Sequence, residues 1–145
     1  MPDPFKSIIY FMKSGLIILG LFSIFGFTDQ IEISEKYDLI IFEGSDWCVN
    51  CIRLERNILS DTAFIKYLDH KKIRLLKIDF PQRKKLSREQ KSYNEQIAGK
   101  YNFEGIFPTI IIARSDTLRF EKISYQNQSV QEIVAVISQK LEKIQ

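Results

Sequence analysis

Histidine is almost missing from this chain: His70 stands alone among 145 residues, and there are only two cysteines, Cys48 and Cys51. So short a supply of soft ligands argues against a structural zinc site, which takes about four. His70 also sits in a polar turn, Asp69-His70-Lys71-Lys72, with no visible partner. Two cysteines cannot build the multi-bridge framework of a small secreted scaffold. A large charge excess is absent too. Lys and Arg number 21 against 18 Asp and Glu, a net charge of +3, too weak to imply a nucleic-acid partner. Internal repeats and low-complexity tracts are missing. What remains is an ordinary globular composition, 45% apolar and 27% charged, in a length suited to one domain.

Charge is also absent from residues 14–27, SGLIILGLFSIFGF. Lys6 and Lys13 precede this run, while Asp29, Glu32 and Glu35 follow it. That asymmetry holds the N-terminus in the cytoplasm and sends the rest across the membrane. An uninterrupted run of 14 residues suits a signal-peptide core. Residues 8–12 are apolar as well, so if Lys13 snorkels, residues 8–27 become a 20-residue span. No A-x-A pattern marks a cleavage site near Gly26. Residues 1–27 are therefore expected to be a signal peptide or an N-terminal membrane anchor, and residues 28–145 the folded domain. Both readings place that domain outside the cytoplasm, periplasmic or membrane-anchored and facing the periplasm.

Within the domain, residues 39–42 form a short, continuously apolar run ending at Gly44 and read as a buried strand. From Val49 a helical pattern begins, with Cys51, Leu54 and Ile58 on one face. Ser60 and Asp61 are turn or N-cap residues before a second helical piece carrying Phe64, Ile65 and Leu68. Residues 73–80 read as a second strand, stopped by Pro81. Ser87 with Gln90 forms a capping box, and Tyr93, Ile97 and Tyr101 supply the apolar face of the helix it opens. Residues 109–113 are β-branched and apolar, as a central strand requires. Leu118 and Phe120 alternate with Arg119 and Glu121, as in an edge strand. Ser129 and Glu132 form another capping box, followed by a stripe of Val130, Ile133, Val134, Ile137, Leu141 and Ile144. The order β-α-β-α-β-β-α gives an α/β domain, a small central mixed sheet flanked by helices on both faces.

Trp47-Cys48-Val49-Asn50-Cys51 follows the first strand and opens a helix. A thiol at a helix start meets free backbone N–H groups and the positive end of the dipole, and both favour thiolate. Thiols in Cys-x-x-Cys sites fall from a pKa of about 8.5 to between roughly 3.5 and 7.5. Cys48 is expected to be the exposed nucleophile and Cys51, one turn further in, the buried resolving thiol. A purely structural bridge is the bland alternative, but a loop of two intervening residues constrains little of the unfolded chain.

These residues resemble the thioredoxin superfamily, in particular bacterial exported thioredoxin-like proteins with a Ser-Asp-Trp-Cys-x-x-Cys active site. The matching pieces are GSDWCVNC at 44–51, KIDFPQRKKLSREQK at 77–91, GKY at 99–101 and FPT at 107–109. The resemblance implies a thioredoxin-like fold and thiol–disulfide exchange on protein disulfides. It implies a cis-proline loop at Phe107, Pro108 and Thr109 that faces the cysteines and pairs with substrate backbone, and a contact of Trp47 with substrate. It calls for no cofactor and no metal, and it implies protein thiol or disulfide partners, a membrane electron donor and a monomer.

Three features depart from the family pattern. The buried acid usually found six residues before the first cysteine is replaced by Phe42. Glu43 is adjacent, but strand alternation turns it to the other face. Glu55 matches an acid of the C-terminal domain of the bacterial transmembrane thiol–disulfide interchange protein and is the candidate for proton transfer. The loop before Pro108 is one residue longer than usual, and Val49-Asn50 stands in place of Gly-Pro. Asp46 reads as a solvated turn residue, and Arg83, Lys84, Lys85, Arg88 and Lys91 as a solvated charged stretch, unless they dock an acidic partner or lipid headgroups. A non-catalytic peptide-binding or chaperone module needs only the groove and is the rival function. A thiol peroxidase ranks below it, because the Thr/Arg pocket expected beside a peroxidatic cysteine is missing.

Overall fold

A computed structural model describes residues 36–145; the expected signal peptide or anchor at 1–27 lies outside them. The first strand, β1 (Tyr37–Glu43), is buried along all seven residues, so both its faces must be covered. It pairs in parallel with β2 (Ile73–Asp79) on one side and antiparallel with β3 (Thr109–Arg114) on the other. The edge strand β4 (Phe120–Ile123) then pairs antiparallel with β3, giving the order β2-β1-β3-β4. Leu118, expected in that edge strand, is 72% exposed in the hairpin turn, and the strand starts only at Phe120.

Strand alternation sorts the core into two halves. Leu39, Ile41, Ile110 and Ile112 face Leu54 and Ile58 of the segment after the cysteines, together with Phe64 of α2 (Thr62–Lys71) and Ile133, Ile137 and Leu141 of α4 (Val130–Ile144). Ile40, Phe42, Ile111 and Ala113 face the other way, toward Ile78, Tyr101 and the flank of α3 (Arg88–Lys100). The capping boxes read at Ser87/Gln90 and Ser129/Glu132 both form. The apolar face of α3 forms at Ile97 and Tyr101 as read, but not at Tyr93. Tyr93 is 48% exposed, and its neighbour Asn94 is buried instead, donating from Nδ2 to the Asp79 carbonyl at 2.7 Å. Hydrogen bonding to the end of β2 thus outweighs the burial of an aromatic ring at this turn.

Candidate active site

The chain leaves β1 at Glu43 and turns through residues 44–48 into α1 (Val49–Leu54), which continues as a π-helical turn over Glu55–Leu59. Both Trp47 and Cys48 donate their N–H groups to the Gly44 carbonyl, at 3.2 and 2.9 Å. Gly44 is required by space: a Cβ there would overlap the indole of Trp47.

Four bonds staple this turn and the end of β1 to the end of β2 and the residue after it. Ser45 donates from its backbone N and from Oγ to the two carboxylate oxygens of Asp79, at 2.8 and 2.7 Å. The Trp47 indole N–H donates to the Phe80 carbonyl at 2.9 Å, and Phe80 N–H to the Glu43 carbonyl at 2.7 Å. Asp46 corrects the reading of a solvated turn residue. Its carboxylate accepts three consecutive backbone N–H groups, from Gln82 (2.9 Å), Arg83 (2.8 Å) and Lys84 (3.0 Å). Loss of hydration alone would raise its pKa, but these donors outweigh it and hold the carboxyl below the ordinary value.

Cys48 is the N-cap of α1, and its Sγ accepts a hydrogen bond from Cys51 N–H at 3.2 Å. The two sulfurs are joined in a disulfide, with Cα atoms 5.2 Å apart. Cys48 was expected to be exposed, yet only 7% of its surface is free, against 1% for Cys51. The order of access is as expected. The low value for Cys48 follows from its sulfur being turned back onto the helix, toward Cys51.

Phe107, Pro108 and Thr109 come to the same end of the sheet. The Phe107–Pro108 peptide bond is cis. The Phe107 ring meets Trp47 edge-on, with centroids 5.2 Å apart, and also contacts Phe80 and Phe103. Thr109 Oγ1 donates to the Ile106 carbonyl at 2.7 Å, closing the longer loop on itself, and Gly105 supplies the left-handed φ of 78° that this loop uses. Asn50, which lies between the two cysteines, lines a cleft of about 430 Å³ with Phe107, Pro108 and Thr109. Trp47 thus meets the proline loop, which shares a cleft with the residue between the two cysteines.

A second cleft, of about 280 Å³, opens on the other side of α1 and is lined by Glu43, Cys51, Glu55 and Lys77 among others. Here the structure corrects the sequence reading. Glu43 does lie on the opposite face of β1 from Phe42, but that is the face α1 packs on. Phe42 belongs to the half-core under α3, stacked on Phe103 with centroids 4.3 Å apart. Glu43 is 6% exposed, and its carboxyl is held above the ordinary value, first by burial and then by Asp79 and Glu55, against the pull of Lys77. Glu55 forms an ion pair with Lys77, its side chain 42% exposed. The signal that would have found Glu43 is its parity with Leu39 and Ile41, the strand residues facing the helix that carries the cysteines.

Comparisons with known proteins agree with this layout. The family model described as Thioredoxin-like matches residues 34–114. The disulfide bond reductase DsbH of Chlamydia pneumoniae is 26% identical over 87 residues, 60% of this chain; the match spans about half, 51%, of that relative's length. A solved structure of a DsbH oxidoreductase superposes with a TM-score of 0.66 at 24% identity, covering 74% of each chain. The C-terminal domain of Neisseria meningitidis DsbD, in its reduced form, superposes at 0.50 with 16% identity over 74% of this chain and 83% of that one. With the sheet order, the two-sided helical cover and a family match over more than half of its residues, the chain belongs to the thioredoxin-like family.

Proposed function

We propose that this protein is a thiol–disulfide oxidoreductase that reduces disulfides of partner proteins outside the cytoplasm. The observation that carries this reading is the Cys51 N–H aimed at the Cys48 sulfur at the start of α1, a donor that stabilises a thiolate there. The reducing direction is supported by the relative named as a disulfide bond reductase. The export reading rests on the charge asymmetry around residues 14–27.

In the reduced protein, the Cys48 thiolate attacks one sulfur of the substrate disulfide. That bond breaks, a Cys48–substrate disulfide forms, and the other substrate sulfur leaves as thiolate. Trp47 and the loop of Phe107, Pro108 and Thr109 hold the substrate chain beside Cys48. Cys51 then gives up its proton and attacks the Cys48 sulfur. The Cys48–Cys51 disulfide closes and the second substrate thiol is released, two electrons having passed to the substrate. Glu43 takes the Cys51 proton. It shares the cleft with Cys51 and is buried, whereas Glu55 stands at the cleft in an ion pair with Lys77. The electrons carry no demand for a cofactor, and a thiol donor at the membrane restores the pair.

The test is trapping. Cys51→Ser leaves the first attack intact and blocks the second, so reducible adducts with partner proteins accumulate on non-reducing gels. Cys48→Ser abolishes adducts and insulin reduction alike. Trapping by Cys48→Ser alone would reverse the two roles, and no turnover by the unaltered protein would remove the enzyme reading. Glu43→Gln slows release of the mixed disulfide by about a hundredfold, the usual scale of general-base assistance, while Glu55→Gln leaves it within about twofold.

A further inference from the structure

The basic stretch after β2 is not free in space, although it carries no helix or strand between Phe80 and Ser87. The three N–H groups given to Asp46 fix the backbone at residues 82–84, and the Ser87 capping box fixes the far end. Between them lies a groove of about 270 Å³ in which the half-buried Phe80, Pro81 and Leu86 meet the exposed Lys84, Lys85 and Lys91. Glu95 is the one acid in its lining. Among the described residues Lys77, Arg74, Arg114, Lys122 and Lys140 each pair with a carboxylate. Among the described residues Arg83, Lys84, Lys85, Arg88 and Lys91 form no ion pair, and neither do Arg53, Arg56, Lys66 and Lys100 elsewhere on the surface, but only the first group is gathered around one groove. A chain near charge balance thus keeps three unpaired cations on this pinned segment and two more in the first turn of α3.

That segment is also tied to the redox turn. Its anchor, Asp46, is two residues before Cys48, and Phe80 of the groove accepts the Trp47 indole N–H. We propose that this groove binds an acidic, extended segment of the partner protein whose disulfide Cys48 attacks. The proposal rests on the oxidoreductase reading and names the class of substrate that reading leaves open. Apolar contact with Phe80, Pro81 and Leu86 takes the side-chain stems, and the lysines take the carboxylates. Exposed charges of this kind act mostly on encounter rate, so the effect belongs in kcat/KM and fades with salt.

The test uses the full chain and the variant K84E/K85E/K91E. The substrates are two peptides of equal length, each with one cysteine in a mixed disulfide with mercaptoethanol, flanked by glutamates in one and by glutamines in the other. The unaltered protein is expected to prefer the glutamate peptide by about tenfold in kcat/KM at low salt, with similar kcat, and to lose the preference in about 1 M salt, where the screening length is about 3 Å. The variant inverts the preference, yet reduces hydroxyethyl disulfide, which is small and neutral, at the unaltered rate. Equal rates on the two peptides, or a preference that the variant retains, overturn the proposal. Fluorescence-polarisation binding of the labelled glutamate peptide decides the matter even if no disulfide is turned over: binding lost in the variant supports the groove, and equal binding sinks it. Binding of anionic over neutral vesicles that the variant abolishes, with no peptide preference, would assign the lysines to a membrane surface instead.

Discussion

Gly44 and Trp47 occupy one space. A methyl group at Gly44 would displace the indole, break its bond to the Phe80 carbonyl and withdraw it from the Phe107 edge. Gly44→Ala is expected to cost about 1–3 kcal/mol, the range for overpacking, read as a lower urea midpoint. Emission of the single tryptophan should shift to the red as the ring gains water. Glu43 gives a prediction of opposite sign. Burial, then Asp79 and Glu55, raise its pKa, so the folded state holds this proton more tightly than the unfolded chain does. Its contribution to stability is complete below the ordinary carboxyl value and is lost as pH rises through the raised one. Glu43→Gln should therefore be more stable than the unaltered protein at neutral pH and equal to it near pH 4, about the ordinary carboxyl value. A variant less stable at neutral pH would mean that the ionised carboxylate is held by favourable charge. Stability and release of the mixed disulfide thus move in opposite directions in one variant, which separates a proton acceptor from a residue that only packs.

Along the helices, the end signals were legible, and so was the face of α4, where Ile133, Ile137, Leu141 and Ile144 are all buried; the face of α3 was less so. Ser129 with Glu132 is a local device whose partners are three residues apart, so sequence spacing suffices to see it. The buried face of α3 depends on where β2 ends, because Asn94 is drawn in by the Asp79 carbonyl, and that partner is visible only once the sheet is formed. The same holds for Asp46, whose three N–H partners lie 36 to 38 residues away. The cysteine pair and the proline loop were legible because each is a short motif, whereas the place of Glu43 beside Cys51 turned on which face of β1 receives α1. For α4 both kinds of contribution can be weighed. Ser129→Ala removes a cap at about 1 kcal/mol, while Ile137→Ala empties a fully buried site at about 2–5 kcal/mol. Urea unfolding of the two variants should rank them in that order. A larger loss at Ser129 would mean that the capping box also sets the path of the preceding turn.

At the scale of the molecule, β1 and β3 form the shared wall of both half-cores among the described residues. Among the described residues every strand of the sheet has its neighbour and each sheet face its helices. An apolar segment suited to lipid or to removal has no reason to add to such a core. The domain of residues 28–145 is therefore expected to fold without it. Deleting residues 1–27 should leave a protein that unfolds in one cooperative step, with the urea midpoint of the disulfide form unchanged and insulin reduction retained. Both readings of the segment, signal peptide and anchor, require this outcome, and fractionation of cells expressing the full chain tells them apart: an anchor keeps it in the membrane pellet under high salt, and a removed leader releases a shorter soluble form. Aggregation of the truncated protein, or a midpoint that falls with the deletion, would instead make the segment part of the core.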